Sequence, residues 1–185
     1  MSAKQRTLEI VPYDPGWPTA FEAEAARLRA ALQTLALRID HHGSTAIPGL
    51  GAKPIIDIQI SVATLRPLTA YGAKLEAVGY VHVPHADDAV CPFFHRPAQW
   101  PHTHHVHVVE RGGREERRTL AFRDYLRAHA DVAKRYERLK GLLAAQSTAD
   151  DPASREEYAR AKTDFVEQIV CLALRDGHPK ELSAR

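Results

Sequence analysis

The spacing of apolar and polar residues predicts a sheet in the first part of the chain. Apolar residues alternate with polar ones, or run together over several positions, in segments bounded by residues such as Gly, Pro or Asp. These segments predict strands at 37–42, 54–62, 93–96 and 104–110, with shorter strands at 7–11 and 80–84.

A helical period follows the predicted strands at 7–11 and 54–62, and it dominates the chain after Gly113. Apolar residues recur every three or four positions, which is typical of a helix with one buried face. Helices are predicted from Asp14 to about Leu35 and at 67–78, 115–129, 131–146 and 154–175. Ser154 and Glu157 form a capping box for the last of these, after a polar linker at 147–152. The pattern predicts one α+β domain over 1–185, with a sheet-containing part at 1–113 and a helical part at 114–175.

Composition adds few constraints. The chain has 185 residues and a formal net charge of +2, so a nucleic-acid partner is not required. No signal peptide is indicated at the start, and no apolar run approaches the roughly 18 residues of a membrane span. Cys91 and Cys171 lack the spacing of metal ligands, and we expect reduced thiols and a cytoplasmic location. The oligomeric state is not predictable from these features.

The most informative stretch runs from His41 to Ile60. Gly43 and Ser44 follow a predicted strand and offer small residues for close approach of a phosphate, and Lys53 adds a positive charge. In the strand that follows, alternation sends the isoleucines to one face and Asp57 with Gln59 to the other. A carboxylate in such an apolar run indicates a functional position.

Five blocks of sequence carry a family resemblance from about Ile10 to Leu174: HHGSTAIPGLGAKPIIDI, HHVHVVE, FRDYLRAH, RYERLK and YARAKTDF. Together they resemble the GrpB family, which implies a nucleotidyltransferase-like mixed sheet with helices and a helical C-terminal half. The resemblance also implies that Gly43, Ser44 and Thr45 hold phosphate and that Asp57 holds a divalent metal, Mg²⁺ or Mn²⁺. Family members also occur fused to dephospho-coenzyme A kinase domains.

Gln59 departs from the pattern of active nucleotidyltransferases, in which two alternate carboxylates on one strand clamp two metal ions. Twelve residues separate Ser44 from Asp57, which suits that arrangement, but the second acidic position carries an amide. An amide oxygen supplies no negative charge for Mg²⁺. Two-metal phosphoryl chemistry is therefore in doubt.

Histidine is the unusual residue of this chain: 11 are present, and seven lie between His82 and His107. His105 and His107 share one face of a strand and converge with Asp57 if their strands are neighbours. Such a set suits a transition metal such as Mn²⁺, Fe²⁺ or Zn²⁺. Contacts to phosphate, acid–base catalysis and purely structural hydrogen bonds are the alternatives. Of the other five, His104 lies on the opposite face of that strand, and His82, His85, His95 and His102 are interpreted as surface or loop residues.

The helical part contributes cations. Lys140 and Lys162 each follow a tyrosine, Tyr136 and Tyr158, by four positions, so each pair lies on one helix face. Tyr158, Lys162, Phe165 and Ile169 form one stripe on the last predicted helix, where a lysine charge needs a partner or a polar cavity. Arg123 and Asp124 are equally well interpreted as a surface ion pair or as cleft residues.

These features predict a protein that binds a nucleotide or another small phosphate-bearing ligand through a metal. Asp57 and His107 are the candidate catalytic residues, and Asp57, His105 and His107 the candidate metal ligands. The candidate phosphate ligands are Gly43, Ser44, Thr45, Lys53, Lys140, Tyr158 and Lys162. Nucleotidyl transfer is the hypothesis for activity. A non-catalytic nucleotide- or anion-binding module, and a metal-dependent hydrolase using Asp57, His105 and His107, are the alternatives.

Overall fold

The computed structural model describes residues 9–146 and 151–180, and within them a five-stranded mixed sheet of order β1-β2-β5-β4-β3. Strands β2 and β5 are parallel, and the other neighbouring pairs are antiparallel. The strands are β1 (Arg38–His42), β2 (Ile56–Val62), β3 (Val81–His82), β4 (Phe93–Arg96) and β5 (His104–Glu110). The α+β class is confirmed, as are the strands predicted at 37–42, 54–62, 80–84, 93–96 and 104–110.

Six α-helices accompany the sheet within the described residues. They are α1 (Trp17–Leu32), α2 (Thr69–Ala77), α3 (Arg114–Ala128), α4 (Ala130–Gln146), α5 (Pro152–Arg160) and α6 (Thr163–Arg175). Three short 3₁₀ turns lie at Gln33–Leu35, Ser44–Ala46 and Ala86–Ala89. The helices at 115–129 and 131–146 are confirmed to within one residue at each end.

One face of the sheet is apolar because strand alternation places Ile56, Ile58 and Ile60 on it. These side chains are buried together with Val106 and Val108 of β5. Helices α1 and α2 cover this face with residues spaced at helical intervals, which include Trp17, Phe21, Ala25, Leu28, Leu32, Tyr71 and Leu75. This layer is the main core.

The opposite face carries polar residues and packs against α3. Ser61 donates a hydrogen bond to Glu116, and both side chains are fully buried. A second apolar cluster lies beyond these polar contacts and joins α3, α4 and α6 to the loop after β1; it contains Ile47, Leu50, Ala121, Tyr125, Leu126, Val132, Tyr136, Ile169 and Ala173. The polar face is therefore enclosed at one end and opens at the other.

Two predicted elements near the start of the chain differ from the structure over the described residues. Of the predicted strand at 7–11, residues 7 and 8 lie outside the described residues, and Val11 makes only an isolated bridge to Ala52. The first helix begins at Trp17 rather than Asp14, because the Asp14 carboxylate accepts a hydrogen bond from the Gly16 amide and forms a turn.

The last predicted helix is also wrong, because it is two helices. The α-helical hydrogen bonding is interrupted at Ala161–Lys162, between α5 and α6. The predicted capping box is replaced by Asp151, whose carboxylate accepts a hydrogen bond from the Ser154 amide 2.8 Å away. Residues 147–150 of the predicted linker lie outside the described residues.

None of the helices in the described ranges has the length and apolar character needed to span a membrane.

Candidate functional site

A cavity of about 520 Å³ opens where the polar face of the sheet meets α4 and α5. It brings together eight of the predicted site residues: Ser44, Lys53, Asp57, His105, His107, Lys140, Tyr158 and Lys162. Its remaining lining residues are Ala52, Ile55, Phe93, Trp100, His102, Arg155, Glu156 and Ala159. The predicted convergence of sheet histidines and helix lysines on one cleft is observed, and the roles of these residues stay predictions.

Asp57 and His105 are direct neighbours on the parallel strands β2 and β5. The His105 Nδ1 lies 3.3 Å from Asp57 Oδ1, and because a carboxylate only accepts, the imidazole nitrogen carries the proton. Burial alone raises the pKa of Asp57, but the hydrogen bond from His105 and the neighbouring imidazoles hold that pKa well below its usual range. Asp57 is therefore a fixed negative charge at the cavity wall.

Two of the predicted phosphate ligands lie outside the cavity lining. Gly43 has a backbone φ of +69°, and a Cβ at this position would lie 2.2 Å from Asp57 Oδ2. The Thr45 hydroxyl is buried, donates to the Ile55 carbonyl at 3.2 Å and accepts from His41 Nε2 at 3.0 Å. Gly43 therefore leaves space for the Asp57 carboxylate. The Thr45 side chain links the loop after β1 to His41 and to the Ile55 carbonyl.

Three lysines surround the tyrosines of the helical wall. The ammonium groups of Lys53 and Lys162 each lie 4.1 Å from the ring centroid of Tyr158. Lys140 lies 5.0 Å from the ring of Tyr136 and donates a hydrogen bond to the Gly51 carbonyl. Cation–π contacts of this kind hold the charges in place without neutralising them.

Burial and neighbouring positive charge lower the pKa of two of these lysines. Burial, and then the charge of Lys162, lower the pKa of Lys140 to about 7. Burial, and then the charge of Lys53, lower the pKa of Lys162 to about 8. Positive charge is thus concentrated where solvent stabilises it poorly.

A second set of side chains continues from His105 towards the connection between β4 and β5. His102 Nδ1 lies 3.1 Å from His105 Nε2, so one ring nitrogen donates to the other. The ring of His102 stacks on that of His95 at 3.8 Å, and His95 Nδ1 donates to the Pro97 carbonyl at 2.9 Å. His95 was predicted as a surface or loop residue but is buried on β4, whereas His102 lies in the loop before β5, as predicted, and lines the cavity.

The predicted metal-ligand set Asp57, His105 and His107 is not arranged as a metal site. Among residues 9–146 and 151–180, no three His, Cys, Asp or Glu side chains form a group that could hold a metal ion. His105 Nδ1 points at Asp57 itself, while His107 Nδ1 lies 3.7 Å from Cys91 Sγ and its ring packs edge-on against His42. Burial lowers the pKa of His107 to about 4.

The two-metal centre of active nucleotidyltransferases does not fit these residues either. Gln59 is fully buried, and neither its amide oxygen nor its amide nitrogen has a hydrogen-bond partner. It does not line the cavity. Of these two positions only Asp57 carries a carboxylate, so the strand offers one charged ligand where the two-metal arrangement uses two.

Helix α3 holds the segment that joins the site to β1. Arg123 is buried, donates to the His41 carbonyl at 3.1 Å and to Asp124 at 2.7 Å, and lies 3.6 Å from Asp40. Arg127 donates two hydrogen bonds to the Ala46 carbonyl, at 2.9 and 2.8 Å. The Arg123–Asp124 pair is therefore neither at the surface nor in the cavity, and it positions β1 and its loop.

Sequence reasoning missed four residues that line the cavity. They are Phe93, Trp100, His102 and Arg155. One signal was available for Phe93 and His95: they alternate on β4, where they pair with His107 and His105 of β5. Trp100 and Arg155 gave no local signal, because the folding of two distant segments brings them together.

Comparison with known proteins shows the family. The profile of the GrpB protein family matches residues 7–171. A UPF0157 protein of Halalkalibacterium halodurans is 39% identical over 89% of the chain and 81% of its own length. The Glutamate-rich protein GrpB of Alkalihalophilus pseudofirmus is 33% identical over 87% of the chain and 92% of its own length. A dephospho-CoA kinase of Mycolicibacterium paratuberculosis is 32% identical over 83% of the chain, which spans 46% of that protein.

Solved structures agree with this assignment. The conserved protein GrpB from Enterococcus faecalis superposes with a TM-score of 0.80 and 32% identity, covering 91% of this chain and 98% of that one. The Cid1 poly(U) polymerase bound to MgATP gives a TM-score of 0.51 at 11% identity, over 77% of this chain and 46% of that one. The second likeness shows the fold alone and confirms a nucleotidyltransferase-like arrangement. From the family profile, the relatives and the fold, the chain belongs to the GrpB family.

Proposed function

We propose that the cavity binds the phosphate groups of a small-molecule ligand, a nucleotide or another phosphate-bearing compound. The observation that carries this proposal is the group of three lysines, Lys53, Lys140 and Lys162, around Tyr136 and Tyr158. The Ser44 hydroxyl, which hydrogen-bonds Tyr136, lines the same part of the cavity. A phosphate placed there meets several charge-assisted donors at once.

The lowered lysine pKa values support an anionic ligand. A charge on Lys140 or Lys162 is disfavoured by burial and by its positive neighbours. A bound phosphate reverses the second of these effects and favours the protonated amines. Ligand binding near neutral pH is then accompanied by proton uptake.

Asp57 sets a condition on where the phosphates lie. Its fixed negative charge faces the same cavity and repels any phosphate placed beside it. A single divalent cation held by the Asp57 carboxylate offsets that repulsion and is the second part of the proposal. Nucleotidyl transfer by two metal ions is not included, because Gln59 stands at the second acidic position.

Replacing Lys162 tests the proposal directly. Lys162→Met keeps the apolar stem and removes the charge, so the affinity for inorganic triphosphate is expected to fall about tenfold to a hundredfold, the range for a lost charged hydrogen bond. Calorimetry in two buffers of different ionisation enthalpy at pH 7.5 measures both the affinity and the proton uptake, and the uptake is expected to be smaller in the variant.

Lys134→Met is the matched control, because Lys134 is exposed on α4 and does not line the cavity. It is expected to bind triphosphate as the natural protein does. Equal affinities for the natural protein and Lys162→Met contradict the proposal. Repeating the titrations with Mg²⁺ or Mn²⁺ tests the cation: Asp57→Asn is expected to remove the gain that metal brings and to leave metal-free binding unchanged or improved.

A further inference from the structure

We infer that the cavity also receives a planar aromatic ring of the ligand, and that Trp100, His102 and Arg155 form this subsite. The inference rests on the proposed phosphate site and specifies its ligand: a phosphorylated compound whose other end is a flat heterocycle, as in a nucleotide.

The lining residues of the cavity divide into two groups with different chemistry. Ser44, Lys53, Lys140, Tyr158 and Lys162 form the cationic end described above. The other group is aromatic and lies around His105. Phe93 packs edge-on against His105 at 5.0 Å, and His102 packs edge-on against it at 5.3 Å.

Trp100 extends this aromatic group towards α5. Its ring lies 4.9 Å from His102, and the Arg155 guanidinium lies 3.9 Å from its centroid. Among residues 9–146 and 151–180, the three apolar clusters do not include Trp100, which is only partly buried and lines the cavity. Tryptophan and arginine are the side chains whose flat surfaces bases stack on most readily.

His102 is held in a fixed orientation for such a role. It stacks on the buried His95 with an interplanar angle of 9° and shares a hydrogen bond with His105. Burial, and then the neighbouring His95, lower the pKa of His102 to about 4, so the ring is neutral at physiological pH. A neutral ring contributes a stacking surface and a hydrogen-bonding nitrogen without adding another charge.

The size of the cavity agrees with a ligand larger than phosphate. Its volume of about 520 Å³ exceeds what one or two phosphate groups occupy and lies within the range of sites for whole small molecules and cofactors. A ligand with an anionic end and a flat end fills both parts, and a phosphate alone leaves the aromatic part empty.

The experiment compares inorganic triphosphate with adenosine triphosphate on the whole chain. We expect the nucleotide to bind more tightly than triphosphate, and Trp100→Ala to weaken the nucleotide about tenfold to a hundredfold, the range for one lost base–aromatic stack. Trp100→Ala is expected to leave triphosphate affinity unchanged. Trp100→Phe keeps a ring for stacking and is the matched control, with most of the nucleotide affinity retained.

Fluorescence gives a second reading that does not depend on affinity. The chain has two tryptophans, and the other one, Trp17, is the first residue of α1 and is buried in the core. The nucleotide is expected to quench emission in the natural protein but not in Trp100→Phe, and triphosphate is expected to quench neither.

The outcomes separate the two proposals. Triphosphate and nucleotide that bind equally tightly, with no effect of Trp100→Ala on either, overturn the aromatic subsite and leave the phosphate site standing. Binding of neither compound, with or without Mg²⁺, overturns the phosphate site and the inference that rests on it. Weakening of both compounds by Trp100→Ala also overturns the subsite, because it shows a general effect on the cavity.

Discussion

Gly43 shows how closely the backbone of the loop after β1 approaches the charged centre of the site. Its φ of +69° is left-handed, and the space beside its Cα is taken by the Asp57 carboxylate. Gly49, six positions later in the same loop, has a similar φ of +76° but open space beside its Cα. A side chain introduced at Gly49 therefore meets backbone strain alone, whereas one introduced at Gly43 also meets the Asp57 carboxylate.

We predict that Gly43→Ala destabilises the protein more than Gly49→Ala does. The positive φ at either position strains a residue that has a Cβ by about 1–3 kcal/mol, and crowding against Asp57 adds about 1–3 kcal/mol at position 43 alone. Urea unfolding of the two variants measures the difference. Equal free energies of unfolding contradict the close contact between Gly43 and Asp57.

Residue-level prediction succeeded where strand alternation decides the outcome. Asp57 is separated from Ile56, Ile58 and Ile60 by parity alone, and the pairing with His105 followed once the two strands became neighbours. The sequence could not show that the Asp57 carboxylate accepts a hydrogen bond from His105. Nor could it show that the buried Gln59 amide lacks a hydrogen-bond partner among the described residues. Both depend on side-chain directions that the register of three strands and the packing of α3 determine.

At the scale of elements, α3 connects the site to the rest of the sheet through arginines. Arg123 is buried and bonds a β1 carbonyl, whereas Arg117 lies exposed on the same helix. The buried guanidinium contacts the carboxylates of both Asp40 and Asp124, and its removal takes one positive charge away from each of them.

Replacing Arg123 by Leu is predicted to lower the free energy of unfolding by about 3–5 kcal/mol, because the buried Asp40 loses a compensating charge and the His41 carbonyl loses its donor. Arg117→Leu should change it by less than about 0.5 kcal/mol, as for an ordinary surface position. Chemical denaturation followed by circular dichroism checks both. A loss of similar size in the two variants contradicts the structural role of Arg123.

The elements that sequence reasoning mistook share a physical cause. The interruption between α5 and α6 falls at Ala161–Lys162, where neither glycine nor proline indicates an end. Alternation at the start of the chain resembled a strand, but Val11 forms an isolated bridge to Ala52 instead. Tertiary contacts decide such cases, and they also bring Trp100 and Arg155 to the cavity.

For the whole molecule, the buried histidines connect stability to pH. Burial, and then the neighbouring His107, lower the pKa of His42 to about 3; burial is also the main cause that lowers the pKa of His41 to about 4. Each native imidazole therefore binds a proton less readily than in the unfolded chain, near pH 6.5. Acidification favours the unfolded state, which takes up those protons first.

We predict that the free energy of unfolding falls between pH 7 and pH 5 by roughly 2 kcal/mol for each histidine that stays neutral in the native state. The lowered pKa of Asp57 adds a further loss only below about pH 4. Urea unfolding at a series of pH values measures the slope. His42→Gln is expected to reduce it and the exposed His85→Gln to leave it unchanged, while a pH-independent stability of the natural protein contradicts the prediction.

Tyr158 has a consequence beyond the site itself. Its ring contacts two lysines that lie more than a hundred positions apart in the chain, Lys53 and Lys162. A change at either lysine alters the field felt by the other through a ring that both share, so their contributions are coupled rather than independent. When GrpB-family sequences are compared, residues 53, 158 and 162 are therefore best considered together. The effect of a substitution at one of these positions depends on the residues at the other two.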